Sequence, residues 1–373
     1  MKDKLTLLLF LASIIVVYAT YGQIAPAIEW QKSLGGSAND YGNSIQQTTD
    51  GGYIVAGSTS SNDGDVSGNN GPGDFWVVKL DGSGSLIWQK CLGGSGGEQA
   101  YSIQQTTDGG FIVAGSTQSN DGNVSGNHTV VYAPTVDYWV VKLDVDGNLI
   151  WQKCLGGFGD DRGQSVEQTS DGGYIVAGYS DSNDGDVSGN HGLEDYWIVK
   201  LDSDGNLVWQ KALGGSSNEY LQSIQQTTDG GFIVAGRTAS NDGDVSGNHG
   251  NDDYWIVRLD TAGEIVWQKC LGGSIDDGAH SIQQTIDGGF IVGGSSSSND
   301  SDVTANHGGG DDWIVKLDIV GNIVWQKSLS PAVSPPRDLC VGAGHGGRKT
   351  LRGYQHLQDV KIYISQIFTV GLI

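Results

Sequence analysis

The chain has 373 residues, of which 60 are Gly and only 6 are Pro, and its formal net charge is -23. So much Gly without a Gly-x-y period excludes collagen and reads as many tight turns between short strands. The acidic surface disfavours nucleic acid and anionic membranes, which it repels, and suits solubility, cations or neutral polar ligands.

Residues 1-22 read as an export signal: Lys2 and Lys4 precede an apolar run from Leu5 to Ala19, which ends in small and polar residues. The run of about 15 apolar residues is shorter than the roughly 20 a spanning helix needs. No second such run follows, so no transmembrane segment is expected once the signal is removed, and the expected location is secreted or cell surface.

From residue 23 to 330 the chain is a repeat. Trp-Gln-Lys recurs at Trp30, Trp88, Trp151, Trp209, Trp267 and Trp325, at spacings of 58, 63, 58, 58 and 58 residues. In the third copy the unit comprises Ser165-Val166-Glu167-Gln168-Thr169, Gly173 to Gly178, Tyr196 to Leu201 and Leu207 to Lys211. Each segment is rich in β-branched and aromatic residues and is bounded by Gly, Asp, Asn or Ser, so each reads as a strand. Ser170-Asp171-Gly172-Gly173 and Asp202-Ser203-Asp204-Gly205-Asn206 have tight-hairpin chemistry. The unit is therefore a four-stranded antiparallel meander.

Its middle strands, such as Ile175-Val176-Ala177 and Trp197-Ile198-Val199, are apolar nearly throughout, so both faces of the small sheet need cover. Stacking sheet on sheet supplies it. The expected fold is all-β, a β-propeller of four-stranded antiparallel blades with five clear repeats and five or six blades. The doubt over number comes from Trp30, which belongs to a spare last strand. Either it stands alone, or residues 331-373 supply three partners for it as a degenerate sixth blade; their basic, repeat-free text fits an unrelated end equally well.

The stretches Leu92-Gly93-Gly94-Ser95, Asp50-Gly51-Gly52-Tyr53-Ile54-Val55-Ala56-Gly57 and Trp76-Val77-Val78-Lys79-Leu80-Asp81 resemble the bacterial propeller repeat family known as SBBP, over roughly residues 28-329. The resemblance implies a propeller and an extracellular location, and little about activity. The last hairpin is also similar to that of quinoprotein propellers.

Function is sought on the face that carries the long within-blade loops, such as Ser182 to Gly192, because both hairpins are minimal and loops on a rigid scaffold carry binding residues. The inter-blade links add Asp40, Glu98, Asp161, Glu219 and Asp277 to that face. Loop acids Asp63, Asp65, Asp184, Asp186, Asp242 and Asp244 read either as a set of Ca²⁺ ligands, since hard cations favour clustered oxygens, or as side chains that fold back on Gly-rich turns. Acids also recur just before the third strand, at Asp74, Asp137, Asp195, Asp253 and Asp311. His191 and His249, with His128 and His307, occupy one loop position. One imidazole per blade is too dispersed for zinc. An insertion in the second copy puts Val130, Val131 and Tyr132 on the same face, as a partner contact or as plain loop-length tolerance. Tryptophans of Trp-Gln-Lys stack sugars if exposed, or pack the core.

Cys91, Cys154 and Cys270 share their slot with Ser33, Ala212 and Ser328, which marks a small-residue packing position holding free thiols. Gly93 to Gly97 matches a nucleophile elbow and Gly342 to Gly347 a dinucleotide fingerprint, both without the strand and helix those motifs need. The sequence therefore predicts a monomeric, non-catalytic binding or surface module for a glycan or an extracellular protein. The alternatives are a propeller hydrolase or lyase acting on polysaccharide and a structural surface-layer component.

Overall fold

A computed structural model describes residues 29-128 and 135-329. The export signal, Val130, Val131, Tyr132 and the tail 331-373 lie outside the described residues. Two compact units are present, Met1–Lys32 and Ser33–Ile373; residues 29-32 of the first have no regular secondary structure, and every strand belongs to the second.

The second unit holds five four-stranded antiparallel sheets, each a meander in chain order. Blade 1 is β1 (Asp40–Gln47), β2 (Tyr53–Thr59), β3 (Asp74–Leu80) and β4 (Leu86–Leu92); blade 2 is β5 (Glu98–Gln105), β6 (Phe111–Thr117), β7 (Asp137–Leu143) and β8 (Leu149–Leu155). Blade 3 is β9 (Asp161–Gln168), β10 (Tyr174–Ser180), β11 (Asp195–Leu201) and β12 (Leu207–Leu213). Blade 4 is β13 (Glu219–Gln226), β14 (Phe232–Thr238), β15 (Asp253–Leu259) and β16 (Ile265–Leu271), and blade 5 is β17 (Asp277–Gln284), β18 (Phe290–Ser296), β19 (Asp311–Leu317) and β20 (Ile323–Leu329). This is the propeller meander that the repeat predicts. Whether a sixth blade exists turns on residues outside the described ones.

The double-sided apolarity of the middle strands is spent between blades. Each core cluster spans two neighbours, blades 1 and 2, 2 and 3, 3 and 4, and 4 and 5. Third-strand aromatics link them in series: Tyr138 lies 4.5 Å from Trp197, Tyr196 4.5 Å from Trp255 and Tyr254 4.7 Å from Trp313 between ring centroids. Each tyrosine hydroxyl donates to the carbonyl of the tryptophan it touches, at 2.8, 3.1 and 3.0 Å.

Trp-Gln-Lys is explained by the same packing. Trp88, Trp151, Trp209 and Trp267 meet Phe111, Tyr174, Phe232 and Phe290 of the following blade edge-on at 5.6 to 5.8 Å. The glutamine accepts the indole N–H of the buried third-strand tryptophan, as Gln210 does from Trp197 at 2.8 Å, so a polar atom inside the core is satisfied. The hairpin glycine of the following blade has to pass over that first tryptophan. A Cβ on Gly205, at φ 78°, would lie 3.0 Å from Trp151, and no other residue combines that φ with so little bulk.

Candidate functional site

The first strands β1, β5, β9, β13 and β17 line a shared channel of about 1200 Å³. Each contains a β-bulge at the same place, between Gly42 and Ser44, Ala100 and Ser102, Gly163 and Ser165, Leu221 and Ser223, and Ala279 and Ser281. The extra residue is left out of the ladder and its side chain is re-aimed. Those residues are Asn43, Tyr101, Gln164, Gln222 and His280, and all five line the channel. The flanking serines repeat in every blade, whereas the bulged residue is Asn, Tyr, Gln, Gln and His in turn.

Beside each bulge a cross-strand pair also varies: Arg162 faces Tyr179 and Tyr220 faces Arg237, and at the positions of Tyr179 and Arg237 the other three blades place Ser. On blades 2 to 4 these residues form a cluster. The Tyr179 and Tyr220 rings meet edge-on at 4.9 Å, and the Arg237 guanidinium stands 4.7 Å over the Tyr220 ring while pairing with Asp252 at 3.2 Å. Arg162 pairs with Asp160 at 3.0 Å, the Tyr101 hydroxyl donates to Gln99 at 2.6 Å, and His280 Nε2 is 3.5 Å from Ser295 Oγ. Burial pushes the Tyr179 phenol up to about 12, with Arg162 pulling the other way, so the phenol stays a neutral donor. Asp252 is also raised, by burial first and by Asp276, against the pull of Arg237. The mouth therefore offers phenol faces, a guanidinium, an imidazole, amides and carboxylates around one opening. Such a set stacks on a ring and hydrogen-bonds its substituents.

The residues singled out from sequence are placed differently. Glu98, Asp161, Glu219 and Asp277 are buried, and they latch a first strand to the link before it and the loop after it. Asp161 accepts from Gly157 N at 2.8 Å and Ser182 Oγ at 2.9 Å, and Glu219 accepts from Gly215 N and Thr238 Oγ1 at 2.8 and 2.6 Å. Asp40 makes the same bonds to Gly36 and Ser61 at 2.7 and 2.9 Å. Of the five only Asp277 reaches the channel wall.

Asp63, Asp184 and Asp242 accept from the link backbone at Ser37, Phe158 and Ser216, at 2.7 to 2.8 Å. Asp65, Asp186 and Asp244 accept from Gly35, Gly156 and Gly214 at 3.2 to 3.3 Å. These acids fold back onto the turns of the link. Among the described residues no group of three or more His, Cys, Asp or Glu side chains is placed to hold a metal. His191 and His249 bond Asp195 and Asp253 through Nδ1 at 2.8 and 2.7 Å, and their Nε2 atoms face Asp244 and Asp302 of the next blade at 3.8 and 4.0 Å. They are interface residues.

The channel residues escaped the sequence reading because it sought what repeats. The signal was present in the opposite form, as the columns that fail to repeat beside a constant Ser: 43, 101, 164, 222 and 280.

The Arylsulfotransferase (ASST) family matches residues 193-361, from the loop before β11 into the tail. The expectation of a non-catalytic chain is corrected by this match, since that family is enzymatic and transfers sulfuryl groups. It is not the repeat family that the motifs resemble. A curated relative, regulatory protein FlaEY of Caulobacter vibrioides, is 27% identical over 207 residues, which is 49% of this chain and 22% of that protein. The chain thus spans under a quarter of that relative's length.

Among solved structures, a protein of unknown function from Bacteroides caccae is similar with a TM-score of 0.43 at 13% identity, covering 77% of this chain and 81% of that one. The Pan2 WD40 domain of Neurospora crassa scores 0.40 at 12% identity, covering 78% and 80%; an ancestral GH74 enzyme scores 0.45 at 11%, covering 81% and 34%. Among the described residues no helix is long and apolar enough to cross a membrane.

Proposed function

We propose that this chain is an exported propeller that takes a glycan in the mouth of its channel. What carries the reading is the place where five close copies stop being copies: the bulged residues and the Tyr179, Tyr220 and Arg237 cluster converge on one opening. Phenol faces stack on the apolar face of a pyranose, while Gln164, Gln222, Asn43 and Asp252 match its hydroxyls. A glycan array followed by titration of the best hit tests it. Tyr220→Ala and Arg237→Ala are expected to weaken binding about fivefold or more with an unchanged melting midpoint, each removing stacking of about 1 kcal/mol or more. Binding that survives both changes refutes the site.

The family match supports a second reading, transfer of a sulfuryl group from an aryl sulfate to a phenol. The donor's S–O bond breaks, the acceptor oxygen takes the group, and the acceptor's proton passes to the donor oxygen. At the mouth Arg237 suits the sulfate, the tyrosines suit the aryl rings, and on this reading the His280 imidazole, which lines the same channel, moves the proton. Release of nitrophenol from 4-nitrophenyl sulfate in the presence of phenol, abolished in Arg237→Ala and His280→Ala, is the result expected of it. No turnover together with tight glycan binding leaves the first reading alone.

A further inference from the structure

At every internal blade interface two carboxylates from different blades are buried against each other. Asp74 lies beside Glu98, Asp137 beside Asp161, Asp195 beside Glu219 and Asp253 beside Asp277, and all eight are at most 3% exposed. One glycine of the link sits over each pair. A Cβ on Gly214 would be 2.4 Å from Asp195 Oδ1 and 2.5 Å from Glu219 Oε2, so these oxygens are no further apart than the sum of the two. Gly93 reports the same closeness for Glu98 and Asp74, at 2.3 and 2.6 Å, and Gly272 for Asp253 and Asp277, at 2.5 and 2.6 Å. A side chain at these glycines would collide with both carboxylates.

A second observation points to an occupant. Like Oδ1 of Asp161, of Asp277 and, at the end of the array, of Asp311, Oδ1 of Asp74, Asp137, Asp195 and Asp253 is fully buried and has no hydrogen-bond partner. The other oxygen is held in place: Oδ2 accepts from the backbone at Asn70, His128, His191 and His249 at 2.8 to 3.0 Å, and in the last three from the imidazole Nδ1 as well. The carboxylate is thus oriented with its bare oxygen toward the facing acid. Among the described residues no Lys or Arg pairs with any of the eight; His128, His191 and His249 stand against Asp137, Asp195 and Asp253, and a buried charge left uncompensated is costly.

We propose that each of these four interfaces holds one Ca²⁺ ion between its two carboxylates. The two facing carboxylate oxygens are hard donors of the kind Ca²⁺ prefers, with main-chain carbonyls or water completing the shell. The histidines act behind the ligands, orienting Oδ2 as outer partners of metal-bound groups do. The loop acids Asp63, Asp184 and Asp242 take no part. The ends of the array lack the pair: the space over Gly35 meets Asp40 alone.

The test uses the full chain, stripped with EDTA and dialysed against CaCl₂ or MgCl₂. Bound calcium is expected at one ion per paired interface, with a melting midpoint about 5 °C or more above that in EDTA. MgCl₂, which demands stricter geometry, gives less than half that shift. Glu219→Gln keeps a hydrogen-bonding side chain and is expected to lower the bound count by one. If Glu219→Gln does not fold, Glu98→Gln reports the same loss at another interface. Asp311→Asn, at an end, leaves the count unchanged. A shared proton is the other way to relieve each pair. No calcium retained at about 1 mM, a midpoint that follows pH identically with and without calcium, or a loss of calcium equal in Asp311→Asn overturns the proposal.

Discussion

The internal interfaces and the two ends of the blade array are built from the same repeat, yet they differ in nearly every physical respect. Inside, β11 and β15 are buried along their whole length. In blade 5, β19 is buried only at alternate residues, and Asp312 stands where Phe75, Tyr138, Tyr196 and Tyr254 carry the aromatic series forward. Trp267 packs on Phe290, but its counterpart Trp325 is 47% exposed. Main-chain links show the same contrast. Gln105, Gln168, Gln226 and Gln284 each donate their backbone N–H to the preceding blade at 2.6 Å. A blade thus has little that holds it apart from its neighbours, as expected of a repeat whose stability is mostly nearest-neighbour contact.

The largest test of this contrast is a pair of tryptophan truncations. Trp197→Ala removes a fully buried ring, its contact with Tyr138 and its bond to Gln210, and is expected to cost about 3–5 kcal/mol. Trp325→Ala, half out of the core, should cost under about 1 kcal/mol. Urea unfolding followed by tryptophan fluorescence and by circular dichroism compares the two, and equal losses would remove the distinction.

The carboxylates separate the same regions by pH. Burial and the facing acid push Asp161 up to about 7 and Asp74 and Asp195 up to about 6. The folded state therefore holds protons that the unfolded chain releases, and in EDTA this part of the stability is full near pH 4 and lost as pH rises toward 7. At the ends the sign reverses. Burial raises Asp311 and Asp40, but bonds from His307 and from Thr59 and Gly36 outweigh it, and both fall below the ordinary value. The hairpin acids Asp108 and Asp171, bonded to Thr and to Lys142 and Lys200, are held near 2, so their contribution is full above about pH 4 and lost as pH falls toward 2. Melting midpoints in EDTA should thus decline on both sides of about pH 4 to 5. A midpoint that climbs steadily to pH 8 would contradict the buried pairs.

The smallest expected effect isolates one interfacial hydrogen bond. Tyr196→Phe loses the bond to the Trp255 carbonyl and should cost about 1 kcal/mol. Phe75, which lacks that hydroxyl in the natural first interface, should gain about as much in Phe75→Tyr if the geometry of the other interfaces holds there. Chemical denaturation of both variants gives the comparison directly.

Much of this architecture was legible beforehand because its determinants are local. Strand, hairpin and blade follow from alternating and continuous apolar runs, Asp-Gly-Gly turns and a period of 58, each read within a dozen residues. The site was less legible. Asp161, Glu219 and the loop acids looked like surface ligands because acids recur there, but their partners are backbone N–H groups of a link some 4 or 26 residues away. Recurrence marked what every blade needs in order to fold.

The sequence by itself determined the repeating sheet, its greasy faces and the need for neighbours, since these depend on residue type and spacing along one strand pair. Only the tertiary structure decided which acids meet and which side chains enter the channel. Asp195 and Glu219 belong to successive blades, and the bulges at Tyr101, Gln164 and His280 reach a common opening only once blades have stacked. Such encounters are set by how one blade packs on the next, and no short stretch of chain records that.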